Sequence, residues 1–147
     1  MPTAASMMSL PATPTALTPL VAVHMTAALG ALAIGPVALW VKKGSHGHRA
    51  AGYAWVTLMT LTAGSSFFIR DHVMVNIGGF TPIHLLILLV FFNLVQGMRH
   101  MLRGNIVAHR KTMKGAYFGS CVIAGLFTLL PGRYLGQLVW HQWLGVL

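Results

Sequence analysis

From residue 17 to residue 41 the chain carries no Lys, Arg, Asp or Glu. A helix rises about 1.5 Å per residue and a bilayer's hydrocarbon core is about 30 Å thick, so roughly 20 apolar residues cross it. That run stops at Lys42 and Lys43, and three more of similar character follow at 50–69, 82–98 and 115–131. Arg70 ends the second; Gly78 and Gly79 break the chain before the third, and Pro82 suits its first helical turn. Only 7% of residues are charged, against about 25% in an ordinary soluble domain, and 56% are hydrophobic. The predicted fold class is an all-α integral membrane protein with four transmembrane helices within residues 17–133.

Charge placement predicts orientation. Lys42, Lys43 and Arg49 stand between the first two runs, and Arg99, Arg103, Arg110, Lys111 and Lys114 between the last two. Only Arg70 and Arg133 fall at the opposite ends. Basic loops stay cytoplasmic, so both termini are expected outside, in a multi-pass membrane protein. The lipid bilayer is then the first partner. A net charge of +9 invites nucleic acid, but the basic residues form short clusters rather than one continuous face, and none is expected.

The ends of the chain read differently from its middle. Residues 1–16 contain no basic residue, so no cleaved signal peptide is predicted, and Pro11, Pro14 and Pro19 suggest an extended extracytoplasmic lead-in. Residues 134–147 are uncharged but too short to span. Tyr134, Trp140 and Trp143 favour a segment lying at the outer interface, and a partner-binding tail would have the same composition.

Aligning His24 with His84 brings out an internal repeat. Gly44 then matches Gly104, and the His48-Arg49 pair matches His109-Arg110. Aromatics follow in both halves, Tyr53 and Trp55 in one, Tyr117 and Phe118 in the other. The expectation is two parallel helical-hairpin repeats, related about the membrane normal and packed as a four-helix bundle. His24, Ala28, Ala31 and Gly35 share one face of the first helix, and Gly115 and Gly119 form a GxxxG pair on the fourth; both suit close packing.

Eight histidines are the distinctive chemical resource. His24 and His84 lie within apolar runs, where a polar side chain must be paired or functional. Interhelical hydrogen bonding is one reading of them. Axial ligation of a haem iron is the other, since two histidines from facing helices without acid or thiol suit that metal. Arg70 and Arg133, at the outer helix ends, would meet the propionates. A second haem between His48 and His109 would have Lys42, Lys43, Arg49 and Arg110 nearby, although loop capping or headgroup contact also suits histidines at helix starts. His46 and His48 in HGH form at most a weak copper or zinc site.

Other chemistries lack their residues. The single acid, Asp71, excludes catalysis by a carboxylate pair within the chain and is expected to pair with Arg70 or His72 at the surface. No HExxH, no triad with an acidic orienter and no phosphate-binding glycine loop is present. Cys121 alone makes neither a disulfide nor a cysteine cage. Met98, Met101 and Met113 gather near the basic end, where packing is the simpler reading than a Cu(I) site.

The blocks GGFTPIHLL (78–86), RGNIVAHRKTM (103–113) and AGLFTLLPGR (124–133), together with HRAAGYAW after the first run, resemble a bacterial family of small predicted inner-membrane proteins, domain of unknown function 2306. The resemblance covers roughly residues 20–135 and implies four membrane helices, with the family's histidine-arginine pairs falling at His48-Arg49 and His109-Arg110. It implies no activity. The reading that emerges is a small haem b electron carrier using paired membrane histidines and no stand-alone enzyme. The alternative is a non-redox small transporter or an accessory subunit, in a homo-oligomer or a larger membrane complex.

Overall fold

The computed structural model describes residues 18–69, 82–130, 134–137, 139, 140 and 145, without the side chains of 82–84, 134 and 137. The lead-in at 1–16, Arg70, Asp71, His72, Arg133, His141 and Trp143 lie outside the described residues, as do the side chains of His84 and Tyr134. The described chain is all-helical. It comprises α1 (Pro19–Trp40), α2 (His46–Phe68), α3 (Pro82–Leu102), α4 (Ile106–Ala116), a π-helical segment (Tyr117–Ile123), α5 (Ala124–Thr128) and the short α6 (Tyr134–Gln137). Helical dihedrals continue across Ala116, Tyr117, Ile123 and Ala124, so α4, the π segment and α5 form one rod.

Local chemistry starts and stops these helices. Thr18 caps α1, accepting from the Val21 N–H, with Pro19 in the first turn. Gly44 and Gly104 take positive φ, 79° and 71°, which a side chain on Cα would oppose. Each is followed by an N-cap: Ser45 accepts from the His48 N–H and Asn105 from the Ala108 N–H. Asn105 therefore starts α4 ahead of the fourth apolar run, and Arg110, Lys111 and Lys114 lie on helix rather than loop.

The four rods close into a ring: α1 packs on α2, α2 on α3, α3 on α4, and the π segment returns to α1. Its core is narrow. Ala31 of α1, Trp55, Met59 and Ala63 of α2, Ile87, Val90 and Leu94 of α3, and Ala116 and Tyr117 meet in one cluster. Spacings of three or four residues put the α2 set and the α3 set each on one helix face. Outward, Leu29, Leu32, Leu85, Leu88 and Phe92 are exposed. Such a surface is costly in water and costs nothing in lipid.

Among the described residues two helices, Pro19–Trp40 and Leu85–Leu102, are long and apolar enough to cross a membrane, and only 17% and 22% of their apolar windows are buried. A soluble core helix would be mostly covered. In α2, the HGHR start and its Thr, Ser and Gly residues dilute the apolar character. Its hydroxyls are satisfied within the helix: Thr57, Thr60, Thr62, Ser65 and Ser66 each donate to a carbonyl four residues back.

Packing on small residues differs in detail from the sequence expectation. On α1 the buried positions are Ala27, Ala31 and Gly35, with Ala28 half-buried beside them. Gly115 and Gly119 pack against nothing described, because the face they share points away from the bundle. The close crossing in the second half is at Gly97 instead, where a Cβ would fall 1.7 Å from Met113 Cε.

Pro36 lies inside α1. Proline has no N–H, so the Leu32 carbonyl four residues earlier loses its helical partner. The Tyr117 hydroxyl donates to that carbonyl at 3.2 Å. Gly35 makes the approach feasible, since a Cβ there would sit 2.3 Å from the Tyr117 ring.

Candidate functional site

At the basic end, the last turn of α1 leaves carbonyls without helical partners. Val37 O is taken by the Val41 N–H. Lys43 Nζ donates to Ala38 O and Val41 O, both at 3.3 Å, and to Leu39 O. Ala38 O also receives His48 Nδ1 at 2.9 Å. In the other hairpin, His109 Nδ1 contacts Gly97 O at 2.8 Å. A carbonyl only accepts, so both rings carry their proton on Nδ1, and in the neutral ring Nε2 keeps its lone pair. Capping, one of the roles open to these histidines, is therefore performed by His48, and its other nitrogen is left available.

His48 and His109 line one cavity of about 260 Å³. Its walls come from α1, α2, α3 and α4 and are largely apolar, with Val56, Met98, Met101 and Met113 among them. Trp55 and Tyr117 form the aromatic side; their ring centroids are 6.4 Å apart and tilted by 56°. Trp55 is only 4% exposed, and its indole N–H has no acceptor among the described residues. The π segment begins at Tyr117, so the wider helical turn starts where the chain reaches this wall; such segments recur at functional sites.

The same cavity is lined by Lys43, Arg49, Arg110 and Lys114, from the first turn, α2 and α4. The one acid of the chain, Asp71, is not among the described residues, so none of these cations has a described carboxylate partner. Lys43 is held below its ordinary lysine pKa, first by desolvation and then by repulsion from Arg110 and Lys114. Lys42 does not line the cavity.

The other predicted pair is arranged differently. His24 is half-buried and turned toward α2, with Nδ1 3.0 Å from Thr62 O and Ser65 Oγ and 3.2 Å from Ser66 Oγ. Both serine hydroxyls already donate to backbone carbonyls, so His24 also carries its proton on Nδ1. Helix-to-helix hydrogen bonding is thus present at His24. His84 falls in the first turn of α3, with its side chain outside the described residues, as are Arg70 and Arg133. Among the described residues no group of three or more His, Cys, Asp or Glu gathers for a metal ion. Two histidines line the cavity described above, and the unprotonated nitrogen of a neutral imidazole is a donor type that haem iron takes.

Sequence reasoning noticed Trp55, Tyr117 and the basic-end methionines without giving them a place at a site. The repeat in aromatic position was the available signal, since both residues follow a histidine-arginine pair. Gly97 gave no signal, because its role depends on a side chain from another helix.

One protein-family model, described as predicted membrane protein (DUF2306), matches residues 21–132. No curated protein and no solved structure matches the chain.

Proposed function

We propose that this chain, which belongs to the DUF2306 family of predicted membrane proteins, acts in the bilayer as a small b-type electron carrier with a haem iron held between His48 and His109. In this reading all four rods cross the inner membrane as two parallel hairpins. The basic turns face the cytoplasm and both termini lie outside, in keeping with the one-sided distribution of Lys and Arg.

The observation that carries the reading is the pairing of two imidazoles in one cavity, each with Nδ1–H fixed on a backbone carbonyl. A hydrogen bond from the other ring nitrogen orients a metal-ligating histidine and raises its basicity in this way. Haem, when bound, supplies one-electron redox chemistry. The chain would present two Nε2 lone pairs and exclude water with Trp55, Val56 and Tyr117. His24 with His84 forms a second site of the same kind in this reading, supported by the matching proton position on His24, with Arg70 and Arg133 toward the propionates.

An absorption spectrum of the purified protein, oxidised and then reduced with dithionite, tests the proposal. The expected result is a Soret band with sharpened reduced bands, lost in His48→Ala and in His109→Ala. Loss confined to His24→Ala and His84→Ala would move the haem to the outer pair. A featureless spectrum from folded protein supplied with haem would favour the second reading, a non-redox transporter or accessory subunit. The outward-facing Gly115 and Gly119 support that second reading, because they leave a helix face open for a partner.

A further inference from the structure

The cavity at the basic end is lined by apolar residues and by four cations, and no carboxylate among the described residues meets those cations. Arg49 lies on the second turn of α2, Arg110 and Lys114 lie one turn apart on α4, and Lys43 lies in the turn between α1 and α2. Among the described residues, no hydrogen bond or ion pair engages the side chains of Arg49, Arg110 or Lys114. Lys43 has its donors on α1 carbonyls and contributes a fixed charge. Bringing four like charges from two hairpins to one opening costs free energy that a bound anion would recover.

We propose that Arg49, Arg110 and Lys114, with Lys43 as a fixed fourth charge, form a carboxylate-binding rim, so that the cavity selects ligands with one apolar edge and one doubly acidic edge. The inference rests on the cavity being a ligand site but not on iron ligation. Guanidinium forks suit carboxylates in two-point contact, and the two arginines come from different hairpins, so a dicarboxylate would bridge the halves of the bundle. The occupant enters apolar edge first, toward Trp55 and Tyr117. The depressed pKa of Lys43 agrees with this crowding of positive charge.

Metal-free protoporphyrin and its dimethyl ester separate the rim from the histidines. Both are titrated into the full chain in phosphatidylcholine nanodiscs, following the porphyrin absorption shift against empty discs. The diacid is expected to bind about tenfold more tightly than the ester, a modest factor because exposed ion pairs are weak. Arg49→Gln with Arg110→Gln should bring the diacid down to the ester's affinity and leave the ester unchanged. Arg110→Lys keeps the charge but loses the two-point contact, so it should give a preference between those of the native chain and the double variant, and matching circular dichroism would show each variant folded. Equal affinity for the two porphyrins, equal weakening of both by the double variant, or no binding of either would overturn the inference. Loss of the iron-dependent spectrum in His48→Ala and His109→Ala reads the carrier proposal, whereas the metal-free diacid and ester read the rim, so the two stand or fall separately.

Discussion

Between α1 and α2, Gly44 turns with a φ of 79°, Ser45 caps the next helix and His48 reaches back to the Ala38 carbonyl. Between α3 and α4, Gly104 turns with a φ of 71°, Asn105 caps, and His109 reaches back to Gly97. The spans beyond these turns do not match. In the first hairpin α1 contains Pro36 and loses a backbone hydrogen bond; in the second, the fourth rod widens into a π segment at Tyr117. The first irregularity is completed from the second, since Tyr117 supplies the donor that Pro36 cannot. The turns repeat because a few adjacent residues specify them. The spans diverge because each is fitted to its neighbours.

The sharpest way to break this comparison is at the two close-approach glycines. Gly35→Ala drives a methyl into a rigid tyrosine ring, and a loss of about 3 kcal/mol is expected from overpacking. The unfolding midpoint in mixed detergent micelles would measure it; an unchanged midpoint would show that Tyr117 does not seat there. Gly97→Ala meets only the flexible end of Met113 and should cost less than about 1 kcal/mol, so the two hairpins should respond unequally.

Next in size is the link between Pro36 and Tyr117. Tyr117→Phe strands the Leu32 carbonyl and should cost about 2 kcal/mol, because lipid offers no replacement donor. Pro36→Ala restores the backbone N–H, so in that background Tyr117→Phe should be nearly silent. A double-mutant cycle reads this coupling directly, and strict additivity would refute it.

Smaller effects should restore the symmetry. Gly44→Ala and Gly104→Ala each place a Cβ in the left-handed region, at about 1.5 kcal/mol apiece. Ser45→Ala and Asn105→Ala each remove an N-cap worth about 1 kcal/mol. Matching losses within each pair, read from thermal unfolding followed by helical circular dichroism, would sharpen the view of equivalent turns. A twofold disparity in either pair would count against it.

Much of the frame could be read in the chain. Long apolar runs with few charges implied helices and membrane residence, and both agree with the helical structure of the described residues, the two span-length apolar helices among them and the family membership. Gly44 and Gly104, matched by the repeat, are the positions where the turns fall. The boundaries were less legible: α4 starts at Ile106 because Asn105 can cap it, whereas the apolar pattern starts later. Reading Gly115 and Gly119 as a packing pair used spacing alone, and the helix rotation set by Tyr117 and Met113 turns them outward.

At the candidate site, residue types announced themselves and their arrangement did not. Histidine in an apolar run is conspicuous, but spacing cannot say which nitrogen carries the proton. That follows only once His48 meets Ala38 O, His109 meets Gly97 O and His24 meets Thr62 O. Lys42 and Lys43 are neighbours in sequence, yet only Lys43 lines the cavity.

By itself, the sequence determined the helical class, the apolar character, the basic end and the two glycine turns, because these depend on hydropathy, charge and a few adjacent dihedrals. The tertiary structure alone decided that Tyr117 completes α1 at Leu32, that Gly97 rather than Gly115 carries the close crossing, and that His48, His109 and four cations share one cavity. Those outcomes depend on helix rotation and register between hairpins, which are fixed by side-chain packing across the bundle and by the requirement that buried backbone groups find partners.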